Sequence, residues 1–233
     1  MLRLAEKYYG APPSSRVRTV VDIGANAGQS AERFSRVFSS SRVYTIEPAQ
    51  AVFEQLADRF AGNERVSPLR YAMSNADGVV QLHHSEHSQC SSLDAPWKAT
   101  GSRENVPARR LDTLCEELGI EHIELLKVDT EGHDLDVLKG SESLLAAGAI
   151  DILIVECGFL EDDPCHANFY EIAGFLKPFG FSLSGFTETR NFMWIEGTYS
   201  LLYCNAIFTR SKLRGMVFAG DATSSVAALA GVE

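Results

Sequence analysis

Short apolar runs alternate along this chain with stretches in which apolar residues recur every three or four positions. Thr19–Ile23 is almost continuously apolar and reads as a strand buried on both faces. Residues 29–38 then carry Ala31, Phe34, Val37 and Phe38 at helical spacing. A second strand at Arg42–Ile46 leads into a second helical period over 49–60, marked by Val52, Phe53, Leu56 and Phe60. A third strand is expected at 66–72, closed by the turn signal Ser74-Asn75-Ala76-Asp77-Gly78, and a short one at 79–84. The rhythm resumes with a helix at Leu111–Leu118, a strand at Ile123–Val128, a helix at 134–145 and a strand at 150–155. A helix at 166–176 and strands at 179–186 and 201–208 follow. This βα alternation predicts an α/β fold with a mostly parallel sheet covered by helices on both faces. A hairpin of the last two strands would add an antiparallel edge strand.

Three segments fall outside the pattern. Residues 85–101 are polar, rich in Ser and His, and long for a connection in a compact domain, which marks them as a flap near the site. Residues 1–17 read as an N-terminal extension to a domain at 18–210. Residues 211–233, rich in Ala, Gly and Ser, read as a flexible tail.

The chemistry concentrates where the first strand ends, at Asp22-Ile23-Gly24-Ala25-Asn26-Ala27-Gly28. Glycines at a strand-to-helix turn let the backbone come close to a ligand. A carboxylate ending the next strand, Glu47 before Pro48, suits the two hydroxyls of a ribose. The spacing is not the G-x-G-x-x-G of a pyrophosphate site, because Gly24 and Gly28 are four apart and Asp22 precedes them. An acid there repels phosphate and favours a cationic nucleoside. S-adenosylmethionine, with a sulfonium and an amino group, meets that requirement.

Composition narrows the partners. The 233 residues suffice for one large domain, and 45% hydrophobic content argues against wholesale disorder. A net charge of −10 disfavours nonspecific nucleic-acid or anionic-membrane binding. The five cysteines form no C-x-x-C pair, which points to reduced thiols in the cytoplasm. No apolar run is long enough for a membrane span, and the oligomeric state is not legible.

The order of segments resembles the class I S-adenosylmethionine-dependent methyltransferases, and within them the FkbM family. The resemblance rests on Val21-Asp22-Ile23-Gly24-Ala25-Asn26-Ala27-Gly28, Ile46-Glu47-Pro48 and Leu126-Lys127-Val128-Asp129-Thr130-Glu131-Gly132, and runs from about Arg18 to Arg210. It implies a Rossmann-like three-layer sandwich with a seven-stranded sheet. It also implies methyl transfer, commonly to hydroxyls of sugars or small natural products. Gly24, Ala25, Asn26 and Gly28 would wrap the methionine part of the cofactor, with Gln29 and Ser30 adding polar contacts. Asp22 would favour the ammonium and Glu47 the ribose. Ala72, Met73 and Ser74 would border adenine.

On the acceptor side, Asp129, Glu131 and His133 follow the 123–128 strand and are the candidate bases for a hydroxyl proton. With Glu156 the two carboxylates form a candidate divalent-metal set, although the expectation here is no resident metal. The expected acceptor is a glycan or small molecule. Two rival readings are weaker: a nucleic-acid methyltransferase, for which Asp129-Thr130-Glu131-Gly132 lacks the expected Pro-Pro-aromatic segment, and a binding module without catalysis.

Overall fold

The structure, a computed structural model, describes Tyr8 and residues 16–85, 91–93, 99–161, 163, 165–195 and 198–211, the side chains of 99, 191–195 and 198–200 excepted. Most of the expected extension at 1–17 and nearly all of the tail at 211–233 lie outside the described residues.

Seven strands form one sheet in the order β3-β2-β1-β7-β8-β10-β9. They are β1 (Thr19–Ile23), β2 (Arg42–Ile46), β3 (Val66–Leu69), β7 (Ile123–Val128), β8 (Ile150–Gly158), β9 (Phe181–Ile195) and β10 (Thr198–Arg210). β1, β2, β3, β7 and β8 are mutually parallel, and β10 runs antiparallel to both β8 and β9. β3 carries Pro68, which an edge strand tolerates because its outward N–H has no ladder to join.

Helices α1 (Gln29–Val37) and α2 (Gln50–Arg59) contribute one core layer with Val20, Leu125, Ile152 and Ile154 of the sheet. On the other face Val21, Ile23, Leu126, Val128, Leu153 and Val155 pack in a larger core. That core also takes in α3 (Leu111–Leu118), α4 (Asp134–Lys139), α5 (Glu142–Ala147) and α6 (Phe169–Leu176). The result is the expected three-layer α/β sandwich. Strand alternation puts Asp22, Lys127 and Glu156 on the same face as the smaller core, and all three are buried near the carboxyl edge. Polar residues in otherwise apolar rows mark the edge that serves chemistry rather than packing.

The elements differ from the sequence expectation in several places. The strand expected over 66–72 divides: β3 stops at Leu69, and β4 (Ala72–Met73) joins β5 (Gly78–Ser85) and β6 (Ala99–Arg109) in a second sheet of order β4-β6-β5. β6 was not anticipated, since its Arg103-Glu104-Asn105 stretch has no apolar signal and its place comes from pairing with β5. The helix expected over 134–145 breaks at Gly140-Ser141. Gly140 is pressed against Ser74, and the Asp112 carboxylate accepts the Ser143 and Leu144 N–H groups that open α5. Finally, α6 begins after Asn168, whose side chain accepts the Tyr170 N–H, so residues 166 and 167 lie on the preceding loop. Among the described residues no helix is long and apolar enough to cross a membrane.

Two glycines test this packing with opposite signs. A Cβ on Gly140 would lie 2.0 Å from the Ser74 carbonyl oxygen, whereas one on Gly174, exposed within α6, meets nothing within 4 Å. Gly140→Ala should therefore cost about 1–3 kcal/mol, and Gly174→Ala should add roughly 0.5–1 kcal/mol. Urea unfolding of the two variants measures both; equal effects would contradict the packing described.

Candidate active site

The β1–α1 turn is tied to both neighbouring strands. The Ile46 carbonyl accepts the N–H groups of Gly24 and Ala25, each at 3.0 Å, and the Asp129 N–H donates to Ile23 at 3.1 Å. Gly24 and Gly28 have φ of 74° and 89°, in the left-handed region that glycine adopts without strain. Their missing side chains also serve the chain itself. A Cβ on Gly24 would sit 1.7 Å from the Asp129 carbonyl, and one on Gly28 would meet Phe60 and Leu56 of the α2 segment at 2.7 and 2.8 Å. The turn is thereby drawn down onto β7, which leaves Ala25 and Asn26 at its crest.

Glu47 closes one side. Its carboxylate accepts the Asn26 N–H at 3.0 Å and the Ala49 N–H at 2.9 Å, bridging the turn to the start of α2. Each oxygen keeps a further lone pair, so hydroxyl donors can still be accepted there. Burial pushes its pKa up to about 7 despite those bonds. Beside it the Pro48 carbonyl accepts from Arg70 Nε. Ala72 and Met73 bury their side chains in core clusters, leaving only backbone at the sheet edge, and Ser74 is also buried. Gln29 opens α1, and Ser30 follows it beside a small cavity shared with Lys127 and Asn205.

The floor of the site is a row of charge. Asp22 is fully buried with neither carboxylate oxygen hydrogen-bonded, and desolvation raises its pKa to about 6 against the lowering pull of Lys127. Lys127 stands opposite it in the β1–β7 register and reaches Asp129 Oδ2 at 2.6 Å. It is the one buried cation among the described residues, and its pKa is pushed upward by the surrounding carboxylates, which outweigh its desolvation. Sequence reading assigned Lys127 no role; the signal available was a lone charge inside an otherwise apolar strand.

Beyond Lys127 the carboxylates of Asp129, Glu131 and Glu156 converge, with one oxygen of each within 4.8 Å of the others. Desolvation, then repulsion from Asp129, raises Glu131 to about 8. The same causes hold Glu156 far above the usual carboxylate range. The turn carrying Asp129 and Glu131 is built by Asp134, which accepts the Thr130 and Gly132 N–H groups at 3.1 and 3.3 Å. Glu131 has φ 55°, a left-handed conformation that costs a non-glycine residue roughly 1 kcal/mol. Its carbonyl accepts the hydroxyl of Ser92, a buried residue of the expected 85–101 flap. Residues 86–90 and 94–98 of that segment lie outside the described residues.

His133, the third candidate base, is placed differently from the two acids. Its Nε2 lies 3.0 Å from Ser74 Oγ and its Nδ1 3.8 Å from Asp136 Oδ2. Both ring nitrogens thus face the β4 and α4 side, where adenine was expected, rather than the Asp129–Glu156 cluster.

The methyltransferase FkbM domain family matches residues 22–183. The chain is 26% identical over 141 residues to the 2-O-methyltransferase NoeI of Sinorhizobium fredii, covering 54% of this chain and 58% of that one. It is 30% identical over 138 residues to the hexuronic acid methyltransferase AglP of Haloferax volcanii, covering 58% and 54% respectively. The chain thus matches only a little over half the length of these relatives. Fibrillarin of Aeropyrum pernix, solved with natively bound S-adenosyl-L-methionine, shares the fold at TM-score 0.50 and 14% identity, over 83% of this chain and 66% of that one.

Raised carboxylate pKa values make folding itself pH-dependent. Asp22, Glu47, Asp134 and Glu131, raised to about 6, 7, 7 and 8, bind protons in the folded state that the unfolded chain has released. Their contribution is complete below the unfolded pKa near 4 and is lost as pH rises through 6 to 8. The ligand-free protein should therefore lose stability from pH 5 to pH 8, and Glu131→Gln should flatten that decline. Denaturant midpoints across the range measure it; a rising stability would contradict the burial of these acids.

Proposed function

This chain belongs to the FkbM methyltransferase family, and on that premise we propose that it transfers a methyl group from S-adenosylmethionine to a hydroxyl of a sugar, glycan or small natural product. The observation that carries the reading is the donor set along one sheet edge: an unpaired buried carboxylate at Asp22, a half-satisfied one at Glu47, and a backbone crest between them. That chemistry fits a cationic nucleoside. Asp22 would favour the ammonium, and Gly24, Ala25, Asn26 and Gly28 would line the methionine moiety. Glu47 would hold the ribose beside Pro48. The backbone of Ala72, Met73 and Ser74 would border adenine, with His133 fixing Ser74. Gln29 and Ser30 would add contacts from the start of α1.

Bound there, S-adenosylmethionine supplies an electrophilic methyl group. Asp129 and Glu131 face the acceptor side, where their role is to accept and orient acceptor hydroxyls beside the reacting centre. Two relatives named for 2-O- and hexuronic acid methylation support a carbohydrate acceptor. The net charge of −10 supports an acceptor other than nucleic acid. Cys115, Cys157 and Cys204 are free thiols, which supports a reducing, cytoplasmic setting.

The convergence of Asp129, Glu131 and Glu156 favours a second reading, in which a divalent cation holds the acceptor. We take the metal-free form, with the shared protons and Lys127 balancing charge. Chelation separates the two: activity lost with EDTA and restored by Mg²⁺ assigns the trio to a cation.

S-adenosylhomocysteine at 100 times its Kd should stabilise the folded state by about 2.7 kcal/mol, whereas NAD should give no shift. Glu47→Ala should weaken that affinity by roughly 1–3 kcal/mol. Asp129→Asn and Glu131→Gln should retain cofactor affinity and lose turnover. Thermal shift and calorimetry measure the first two effects; stabilisation by NAD alone, or full affinity in Glu47→Ala, would contradict the assignment.

A further inference from the structure

The loop between β8 and α6 carries a second set of reactive side chains that the cofactor reading does not use. His166 Nδ1 lies 2.9 Å from Asp163 Oδ2, and the other oxygen, Oδ1, accepts the backbone N–H groups of Cys165 and His166 at 2.9 and 3.2 Å. The carboxylate is thus fixed before it meets the ring. Both side chains are largely buried, at 12% and 7% exposure. The imidazole stacks on Tyr203 of β10, with centroids 4.2 Å apart and planes 16° apart. An Nδ1–H donated to Asp163 leaves Nε2 as the bare nitrogen of the neutral ring. Among the described residues none hydrogen-bonds Nε2.

Two contacts place this dyad beside the acidic cluster. The Cys165 carbonyl lies 3.2 Å from where a Gly132 Cβ would be, and Asp163 Oδ2 and His166 Cβ lie 2.6 and 3.1 Å from that of Gly158. Gly158 is two residues beyond Glu156 on β8 and pairs with Tyr203. Gly132 and Gly158 therefore leave the room that lets the loop close down on the sheet edge. Asp163 and His166 also line an open groove of about 610 Å³ with Phe159, Glu161, Tyr170 and Glu171.

We propose that His166 is the general base of the methyl transfer, with Asp163 as its positioning residue. The proposal rests on the methyl-transfer reading above and assigns the proton within it. The acceptor proton passes to His166 Nε2 while the hydroxyl oxygen closes the O–CH₃ bond and the S–CH₃ electron pair returns to sulfur. The imidazolium so formed keeps Nδ1–H on Asp163, and its Nε2 proton leaves through the groove to solvent. Asp129 and Glu131 then act on the acceptor's other hydroxyls, and His133 stays at Ser74. The groups facing the imidazole are Asp163 and Cys165 on its own loop, Tyr203 from β10, and Glu161 and Glu171 across the groove. The Glu156, Glu131 and Asp129 carboxylates and Arg190 of β9 act on the Tyr203 phenol.

The test uses the full chain with methyl glycosides, a methyl glucuronide among them, as acceptor probes. His166→Gln should lower kcat by about 10²- to 10⁴-fold with S-adenosylhomocysteine affinity unchanged. The acid limb of the kcat profile should disappear with it. His166→Ala should recover part of its rate with added imidazole, and Asp163→Asn should fall between wild type and His166→Gln. A His166→Gln variant within threefold of wild type, or a His166→Ala variant that imidazole does not rescue, overturns the proposal. A wild-type protein that fails to bind S-adenosylhomocysteine overturns the methyl-transfer reading instead. Nitrogen-15 NMR of the ring needs no acceptor: a neutral His166 protonated at Nδ1 supports the assignment, and one protonated at Nε2 overturns it.

Discussion

The structure turns on one ammonium group. Lys127 Nζ lies in the middle of a parallel sheet, opposite the buried Asp22 and 2.6 Å from Asp129. A buried charge without a partner is strongly unfavourable, and so is a buried cluster of acids without a cation. Lys127 answers both constraints at once. It pairs with Asp129, while burial, and then repulsion from Asp129, push the next acids, Glu131 and Glu156, upward.

Backbone geometry carries the arrangement to the surface. The Gly24 turn rests on the Asp129 carbonyl, and Gly132 and Gly158 admit the loop bearing Asp163 and His166. Glu47 and Asp134 each use a carboxylate to hold backbone N–H groups of a turn, so the same side chains that shape the site also tune its charge. The left-handed Glu131 is held by the Ser92 hydroxyl and the Asp134 bonds that flank it. In the proposed reading, cofactor and acceptor take different parts of this edge. The β1 and β2 ends present one unpaired and one half-satisfied carboxylate, whereas the β7 and β8 ends present three converging carboxylates and an imidazole.

Much of this was legible in the sequence because it is local. Continuous apolar runs gave β1, β2 and β7, and the spacing of Gly24, Gly28 and Glu47 pointed to the edge here proposed for the cofactor. What escaped depends on distant partners. β6 has charge at Arg103 and Glu104 where a period-two signal would need apolar residues, and only its pairing with β5 makes it a strand. The break at Gly140 comes from Ser74, far away in sequence. His166 sits in a helical period, yet the Asn168 cap delays the helix to Phe169 and frees the imidazole to turn toward Asp163 and Tyr203. Whether Asp129, Glu131 and Glu156 meet is a matter of strand register, which apolar spacing does not encode.

A crystal structure with S-adenosylhomocysteine tests the division of the sheet edge most directly. The account predicts the ribose hydroxyls on Glu47, the homocysteine over the Gly24–Gly28 turn above Asp22, and the sulfur facing the side of Asp129 and His166. A ligand seated in the groove beside Tyr170, or one whose ribose leaves Glu47 untouched, would contradict it.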